Sequence, residues 1–416
     1  MKQFITDALR WSERYTKTDM LYLAKGGFWA GTGFFVSMLG AFLMSFVFAN
    51  YFPKEAYGTY KFLFSLAGIA AGFSLSGLSI IVTQAVARGH EGTLRAAVLT
   101  SIQWSLIPSA ITLCMSVYYG WNGNSTLAYS LLFPTFLSPL ITSCGLYGAF
   151  LVGKKEFKNS TLYGTVTTWC NNLAIIAAVL LTKDPIVVVG ASFATQAIIT
   201  ALFYMYVIRT RTPNHSVERG AITYGKHLSA MGILGTIASN VDNVLVFHYL
   251  GAGPLAVYAF ASAPINQIQS LYKTTTPIFT PKIAEKTADE VRTLLPEKVV
   301  TLTALMIIPT LLYILLIPFF YKTFFPKYID SIFYSQLLAL TMLSYAKKPL
   351  GVALVAHGGK KVNYILSIIN PAVYLILKII LLPLFGLMGA IAAEIINSAF
   401  SVGINFFYVR KLKSLI

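Results

Sequence analysis

The chain has 416 residues, of which 56% are hydrophobic and only 11% charged, against about 25% charged in soluble domains. With a mean hydropathy of +0.67, 29 Phe and 24 Tyr, this composition excludes a water-soluble enzyme, a disordered chain and a disulfide-rich secreted domain. The formal net charge of +17 would suit a nucleic acid only if the cations formed one soluble face, and their placement along the chain does not allow that.

Residues 1–20 lack the short apolar core and small-residue cleavage site of a signal peptide. Phe4, Ile5, Ala8 and Leu9 share one helical face, as expected of a helix lying at a membrane surface. Beyond them, apolar runs reach the roughly 20 residues needed to cross a hydrocarbon core of about 30 Å. There are twelve: 26–50, 58–83, 97–119, 129–152, 161–182, 186–208, 228–250, 255–279, 300–320, 331–356, 362–384 and 387–409. They are numbered spans 1 to 12 below. No connection is long enough for a separate domain. The longest, 281–298 (PKIAEKTADEVRTLLPEK), has room for a short amphipathic helix. The expected fold is an all-α polytopic membrane protein with twelve transmembrane helices.

Cytoplasmic loops of membrane proteins carry the Lys/Arg excess. With the N-terminus placed inside, 26 of the 32 basic residues fall in or beside cytoplasmic segments. The outer loops hold only Lys54, Lys183, Lys322 and Lys327. Both termini are therefore expected in the cytoplasm, and the positive charge needs no nucleic-acid partner.

Catalytic patterns are missing. There is no GxxxxGKS/T phosphate loop, no HExxH and no CxxC. The five His are scattered. Cys114, Cys144 and Cys170 lie inside apolar runs, an odd number without metal-ligand spacing. The sequence predicts a protein that is not an enzyme and has no cofactor beyond a coupling H⁺ or Na⁺.

Twelve spans divide at the basic loop 209–226, giving lobes at 1–208 and 227–416. An offset of about 200 residues pairs PKEAYGTYKF (53–62) with GAGPLAVYAF (251–260), GAFLVGKKEFK (148–158) with GVALVAHGGKK (351–361), and VVVGASFATQ (187–196) with GLMGAIAAEI (386–395). Three matches in one order indicate two parallel six-helix repeats, related by an axis along the membrane normal.

The turn FANYFPKEAYGTYKFLFSLAGI, with Pro53, Tyr57, Gly58 and Tyr60, and the restart ASNVDNVLVFHYLGAGPLAVYAFASAP, with Asp242, Gly251 and Tyr258, resemble one known family. It is the polysaccharide transporter branch of the multidrug/oligosaccharidyl-lipid/polysaccharide flippase superfamily, the O-antigen flippase type. The resemblance runs through the whole chain. One departure is Asn243, where the family commonly has a basic residue after the Asp. The resemblance implies a flippase working by alternating access in the bacterial inner membrane. Its cargo would be an undecaprenyl-diphosphate-linked oligosaccharide for surface polysaccharide such as O-antigen or capsule. A monomeric functional unit among membrane lipids is implied, with a polysaccharide polymerase and a chain-length regulator as partners. The alternatives are a cation-coupled drug or metabolite antiporter of the same superfamily and a membrane glycan polymerase. Bacterial drug antiporters commonly have a carboxylate in the first helix, and span 1 has none. Polymerases of this kind usually have a large outer loop with Arg or His, and the outer loops here are short.

Ionisable residues at membrane depth usually face a cavity or a partner. Lys25, Lys61, Lys273 and Lys348 are candidate phosphate contacts for such a cargo, with snorkelling to headgroups as the competing role. Asn240 and Asn243 on span 7, and Asn266 and Ser270 on span 8, fall at helical spacing and are candidates for a polar cavity lining. Close helix packing is the competing role for such residues. Asp242 and Glu394 are candidates for ion coupling, since a carboxylate at this depth can take up a proton or Na⁺. The competing role is a structural pair in which Lys378 neutralises one of the two; with one cation nearby, at least one carboxylate lacks an obvious partner.

Overall fold

The computed structural model describes residues 20–211, 214–284 and 286–412. The stretch expected to lie along the membrane surface is outside them. Span 1 is Met20–Tyr51, span 5 Phe157–Leu181, span 6 Pro185–Arg211, span 7 Ala221–Leu250, span 8 Ala252–Ala284 and span 9 Ala288–Phe324. Four spans are broken helices. Span 2 consists of Lys54–Ala71 and Leu78–Ala87, span 3 of Thr93–Trp104 and Leu106–Trp121, and span 4 of Ser125–Cys144 and Leu146–Gly153. Span 10 joins Ser331–Leu338 to Lys348–His357 through the tighter 3-10 helix Ala339–Lys347. Spans 11 and 12 are the two arms of Gly359–Arg410, folded at Gly386. The described residues contain no strand.

Local chemistry accounts for several breaks. Pro108 has no N–H for the carbonyl of Trp104, and span 3 is interrupted at Ser105. Pro349 cannot serve Tyr345, and it occupies the first turn of the last helix of span 10, where a missing N–H costs nothing. Gly386 has φ 58° and ψ −140°, a conformation that only a residue without Cβ takes readily.

Nine helical stretches among the described residues are long and apolar enough to cross a membrane. The twelve crossings are recovered from three features. Lys361–Arg410 forms one stretch but crosses twice. Span 2 is split at 72–77, and span 8 carries Asn266, Gln267, Gln269 and Ser270 in mid-helix. The spans present their apolar side chains outward: on span 9, Ile308, Leu312, Leu315 and Phe319 are exposed. In water such a belt would aggregate, whereas in a bilayer the helices satisfy their own backbone groups and expose only hydrocarbon. The chain is a multi-pass membrane protein.

Spans 1 to 6 pack among themselves, 1 on 5, 5 on 6, 6 on 4 and 4 on 3. In the second half, span 7 packs on the 11–12 hairpin, and spans 8 and 9 pack on span 10. Span 2 also reaches the other half: Lys54–Ala71 lies along spans 7 and 8, and Leu78–Ala87 packs on both span 4 and span 7. At the end of the bundle holding the 51–54 and 250–252 turns, one core unites both halves. It includes Phe48, Phe52, Tyr57 and Tyr60 from the first, and Phe260, Tyr321, Phe325 and Tyr328 from the second. At the opposite end each half has its own core, around Leu78, Leu94 and Phe150 in one, and around Val291, Leu350 and Leu354 in the other. The first is called the aromatic end and the second the basic end. The ion pairs Lys154–Glu91, Arg88–Glu218 and Arg211–Glu156 all lie at the basic end.

Candidate functional site

The two segments paired by the internal repeat, 53–62 and 251–260, meet at the aromatic end. Gly58 lies against the backbone of Ala252, so close that a Cβ would overlap it. The Tyr57 and Phe260 rings are 4.8 Å apart, Phe260 stacks on Tyr328 at 3.8 Å, and Phe62 stacks on Phe247 at 3.9 Å. Backbone carbonyls at helix ends are satisfied across the same boundary: Lys327 donates to the Asn50 carbonyl (2.6 Å) and Asn50 to that of Phe324 (3.1 Å). Ring pairs contribute about 0.5–1.5 kcal/mol each. Several of them cross between halves here, so separating this end costs several kcal/mol unless contacts form elsewhere.

Two seams run from this closed end toward the basic end, and they differ. Spans 2 and 7 touch along their whole length through small or polar residues. Gly68 faces Asn240, Gly72 faces Thr236, and Gly77 faces Gly225 and Ser229. Asn243 donates to Ser65 Oγ at 2.8 Å, and the Gly77 N–H donates to Ser229 Oγ at 2.9 Å. Spans 1 and 8 meet chiefly near the aromatic end. Below it they are parted by a hollow of about 310 Å³ lined by Phe34, Met38 and Phe42 from span 1, Pro264 and Leu271 from span 8, and Phe320 from span 9. That hollow is almost wholly apolar.

Charge is concentrated among spans 7, 8, 11 and 12. Lys378 is completely buried. Its ammonium lies 3.3 Å from Asp242 Oδ2, donates to Tyr258 Oη at 3.0 Å, and sits over the Tyr258 and Tyr374 rings at 5.0 and 5.1 Å. An unpaired ammonium at this depth would cost several kcal/mol, which the carboxylate and the two ring faces offset. The Tyr374 hydroxyl donates to the same oxygen of Asp242. The Tyr258 hydroxyl lies 3.1 Å from Asp242 Oδ2 and 3.1 Å from Glu394 Oε2. A phenol has one hydrogen to give. With both carboxylates ionised, one of these two contacts has no proton in it. A single added proton on Glu394 completes the network, because Glu394 then donates to Tyr258. Lys378 pairs with Asp242, the structural role that competes with coupling for that acid, and Glu394 forms no ion pair among the described residues.

Glu394 opens into a polar hollow of about 360 Å³, whose walls include Asn266, Lys347, Lys348, Asn370, Tyr374 and Asn397. Asn370 and Asn397 each keep a buried carbonyl oxygen without a hydrogen-bond partner among the described residues, as does Asp242 at Oδ1. Four of the sequence candidates therefore come together: Asp242, Glu394, Asn266 and Lys348. Ser270 bonds back to the Asn266 carbonyl of its own helix, 2.9 Å away, and does not line this hollow. Asn240 and Asn243 occupy the seam with span 2 instead, where they pack and hydrogen-bond. Lys61 is half-buried with its ammonium 5.5 Å from the Tyr57 ring. The side chains of Lys25 and Lys273 lie outside what the structure describes.

Tyr374, Asn370 and Asn397 escaped the sequence reading, although a signal existed. Asn370, Tyr374 and Lys378 follow one another at steps of four, one face of a helix.

The sequence model of the family described as polysaccharide biosynthesis protein matches residues 23–281, well over half of the chain. The chain belongs to that family. No curated protein sequence matches it significantly. Solved structures similar to this family member include an outward-facing multidrug resistance MATE family transporter of the MOP superfamily, 14% identical, covering 94% of this chain and 96% of its own, with a TM-score of 0.60. The lipid II flippase MurJ in an inward closed conformation is 14% identical over 91% of this chain and 87% of its own, with a TM-score of 0.62. A MOP superfamily transporter from Pyrococcus furiosus, described by its reversed pocket polarity, is 13% identical over 94% and 96%, with a TM-score of 0.60. At this identity the likeness establishes the fold, that of the MOP superfamily. These relatives are membrane transporters rather than enzymes.

Proposed function

We propose that this chain is a flippase that moves an undecaprenyl-diphosphate-linked oligosaccharide from the inner to the outer leaflet of a bacterial inner membrane, for surface polysaccharide synthesis. The observation that carries this reading is an apolar gap between spans 1 and 8 beside a polar hollow edged by Lys347 and Lys348. A polyprenyl tail would stay in hydrocarbon through the gap while the diphosphate meets the lysines and the sugar hydroxyls meet asparagines such as Asn266 and Asn370. The positive-inside bias of the loops supports cytoplasmic termini, with the basic end inside. The closed aromatic end then faces out, and the described state is open toward the cytoplasm.

Alternating access requires the aromatic end to part while the basic end closes. Binding can shift such an equilibrium only by favouring one state. We assign that role to the centre of Asp242, Glu394 and Lys378, which has one cation for two carboxylates and takes up a proton or Na⁺. A polar hollow with two lysines to one carboxylate disfavours cationic drugs, so the antiporter reading ranks second. The functional unit is the monomer, and the fold gives no support to a polymerase; a separate polymerase and chain-length regulator would act on the product.

The test is complementation of a flippase-deficient strain, scored by surface polysaccharide with membrane expression verified. The wild-type chain restores the polymer, and Lys348→Ala lowers it at least tenfold. Full export by Lys348→Ala removes the phosphate assignment. Unchanged proton and Na⁺ flux in Glu394→Gln removes the coupling. Failure of the wild-type chain to complement with its matched glycan refutes the flippase reading.

A further inference from the structure

Spans 8, 9 and 10 enclose a third hollow at the basic end, of about 520 Å³, within the size range of small-molecule sites. Its walls are apolar, with Leu302, Met306 and Val352 among them, and three cations stand on its edge: Lys286, Lys298 and Lys348. Among the described residues no carboxylate lines it. The nearby Glu290 is engaged in capping the start of span 9, where it accepts from the Thr287 N–H at 2.9 Å. Lys298 lies just before the apolar run of span 9 begins, and Met306 lies two turns deeper, about 12 Å along the helix axis. Lys286 and Lys298 thus stand at the surface level with hydrocarbon contacts beneath them, and Lys348 lies deeper with its ammonium buried. Basic pockets between membrane helices on the cytoplasmic side suit lipid headgroups.

We infer that this hollow is a binding site for an anionic phospholipid of the surrounding membrane, with its phosphate on Lys286 and Lys298 and one acyl chain against Leu302 and Met306. It is a separate site from the hollow of Glu394, although Lys348 and Tyr345 form part of the wall between them. The occupant is therefore a resident lipid, not cargo. The inference does not depend on what the protein transports. A bound lipid would fasten the basic ends of spans 8, 9 and 10 to one another.

The experiment is native mass spectrometry of the purified full chain titrated with short-chain phosphatidylglycerol, short-chain phosphatidylcholine or inorganic phosphate. Wild-type protein should retain phosphatidylglycerol at least tenfold more tightly than phosphatidylcholine. The exposed-side pair Lys286→Gln with Lys298→Gln should erase that preference, and Met306→Trp should weaken phosphatidylglycerol tenfold with the lysines intact. Size-exclusion profiles and melting curves verify folding. Should Met306→Trp fail to fold, the lysine pair alone decides. Equal retention of the two lipids by the wild type overturns the inference, as does an unaltered preference in the lysine pair. Retention of inorganic phosphate as tightly as phosphatidylglycerol overturns the lipid assignment and makes the ligand a free anion.

Discussion

Spans 2 and 7 form a zipped seam, whereas spans 1 and 8 form a gapped one. The zipped seam brings the helices together through Gly68, Gly72 and Gly77, so its contacts are short-range and have little freedom to slide. The gapped seam is made of large apolar side chains such as Phe34, Met38 and Leu271 around empty space, and such chains repack at small cost. In the alternating-access reading proposed above, halves joined this way would turn about the zipped side and part on the other. The contrast makes one side of the molecule the candidate hinge and the other the candidate door.

The strongest way to break this contrast is to add bulk to each seam. Gly77→Leu would drive a side chain into the Gly225 backbone, at a cost above the usual ~1–3 kcal/mol of overpacking, so folded yield and export should both be lost. Gly31→Leu on span 1, where a Cβ meets nothing within 4 Å, should leave both near wild type. Equal yields of the two variants would show the seams to be alike. Next in size is a cross-link. Joining Met38→Cys to Leu271→Cys with a short bifunctional reagent should stop polysaccharide export more than tenfold without lowering the melting temperature. Oxidising Ser65→Cys with Asn243→Cys, positions whose side chains touch at 2.8 Å, should leave most export intact. Export surviving the first cross-link and lost with the second would exchange hinge and door.

Removing the buried cation is a test inside one half. Lys378→Met leaves Asp242 without its ion pair, and breaking such a pair costs about 3–5 kcal/mol. The melting temperature should fall, and Asp242→Asn added to it should recover most of the loss. Lack of recovery would mean that the lysine acts through packing and not through charge. The smallest effect expected is that of Asn243→Ala, about 1 kcal/mol for one hydrogen bond between helices, read as a slight drop in thermal stability with export preserved.

Most of the architecture was legible because a bilayer imposes a length and a polarity on each crossing. The twelve runs and the turn at 385–386 follow from that constraint. Site residues were less legible. Helical spacing tells which residues share a face but not which neighbour the face meets. Asn240 and Asn243 qualify by spacing for a cavity, yet Gly68 and Ser65 on a span far away in sequence draw them into a seam. Lys378 was visible as a partner for a carboxylate, but its choice of Asp242 over Glu394 depends on where Tyr258 and Tyr374 stand. The breaks at Ser105 and before Pro349 were predictable from proline chemistry, whereas the loosened helix between Gly72 and Gly77 depends on contact with span 7.

Gly386 fixes more than the direction of the chain. Lys378 and Glu394 are each eight residues from it, so the bend holds an ammonium and a carboxyl at matched depth on two antiparallel arms. Inserting one residue beside that bend would advance one arm by about 1.5 Å and rotate it by about 100° relative to the other. The acid would then turn away from the Tyr258 hydroxyl while both arms stayed helical. The spacing around a single achiral residue thus sets the alignment of two charged groups that meet at one tyrosine hydroxyl and that neither arm encodes alone.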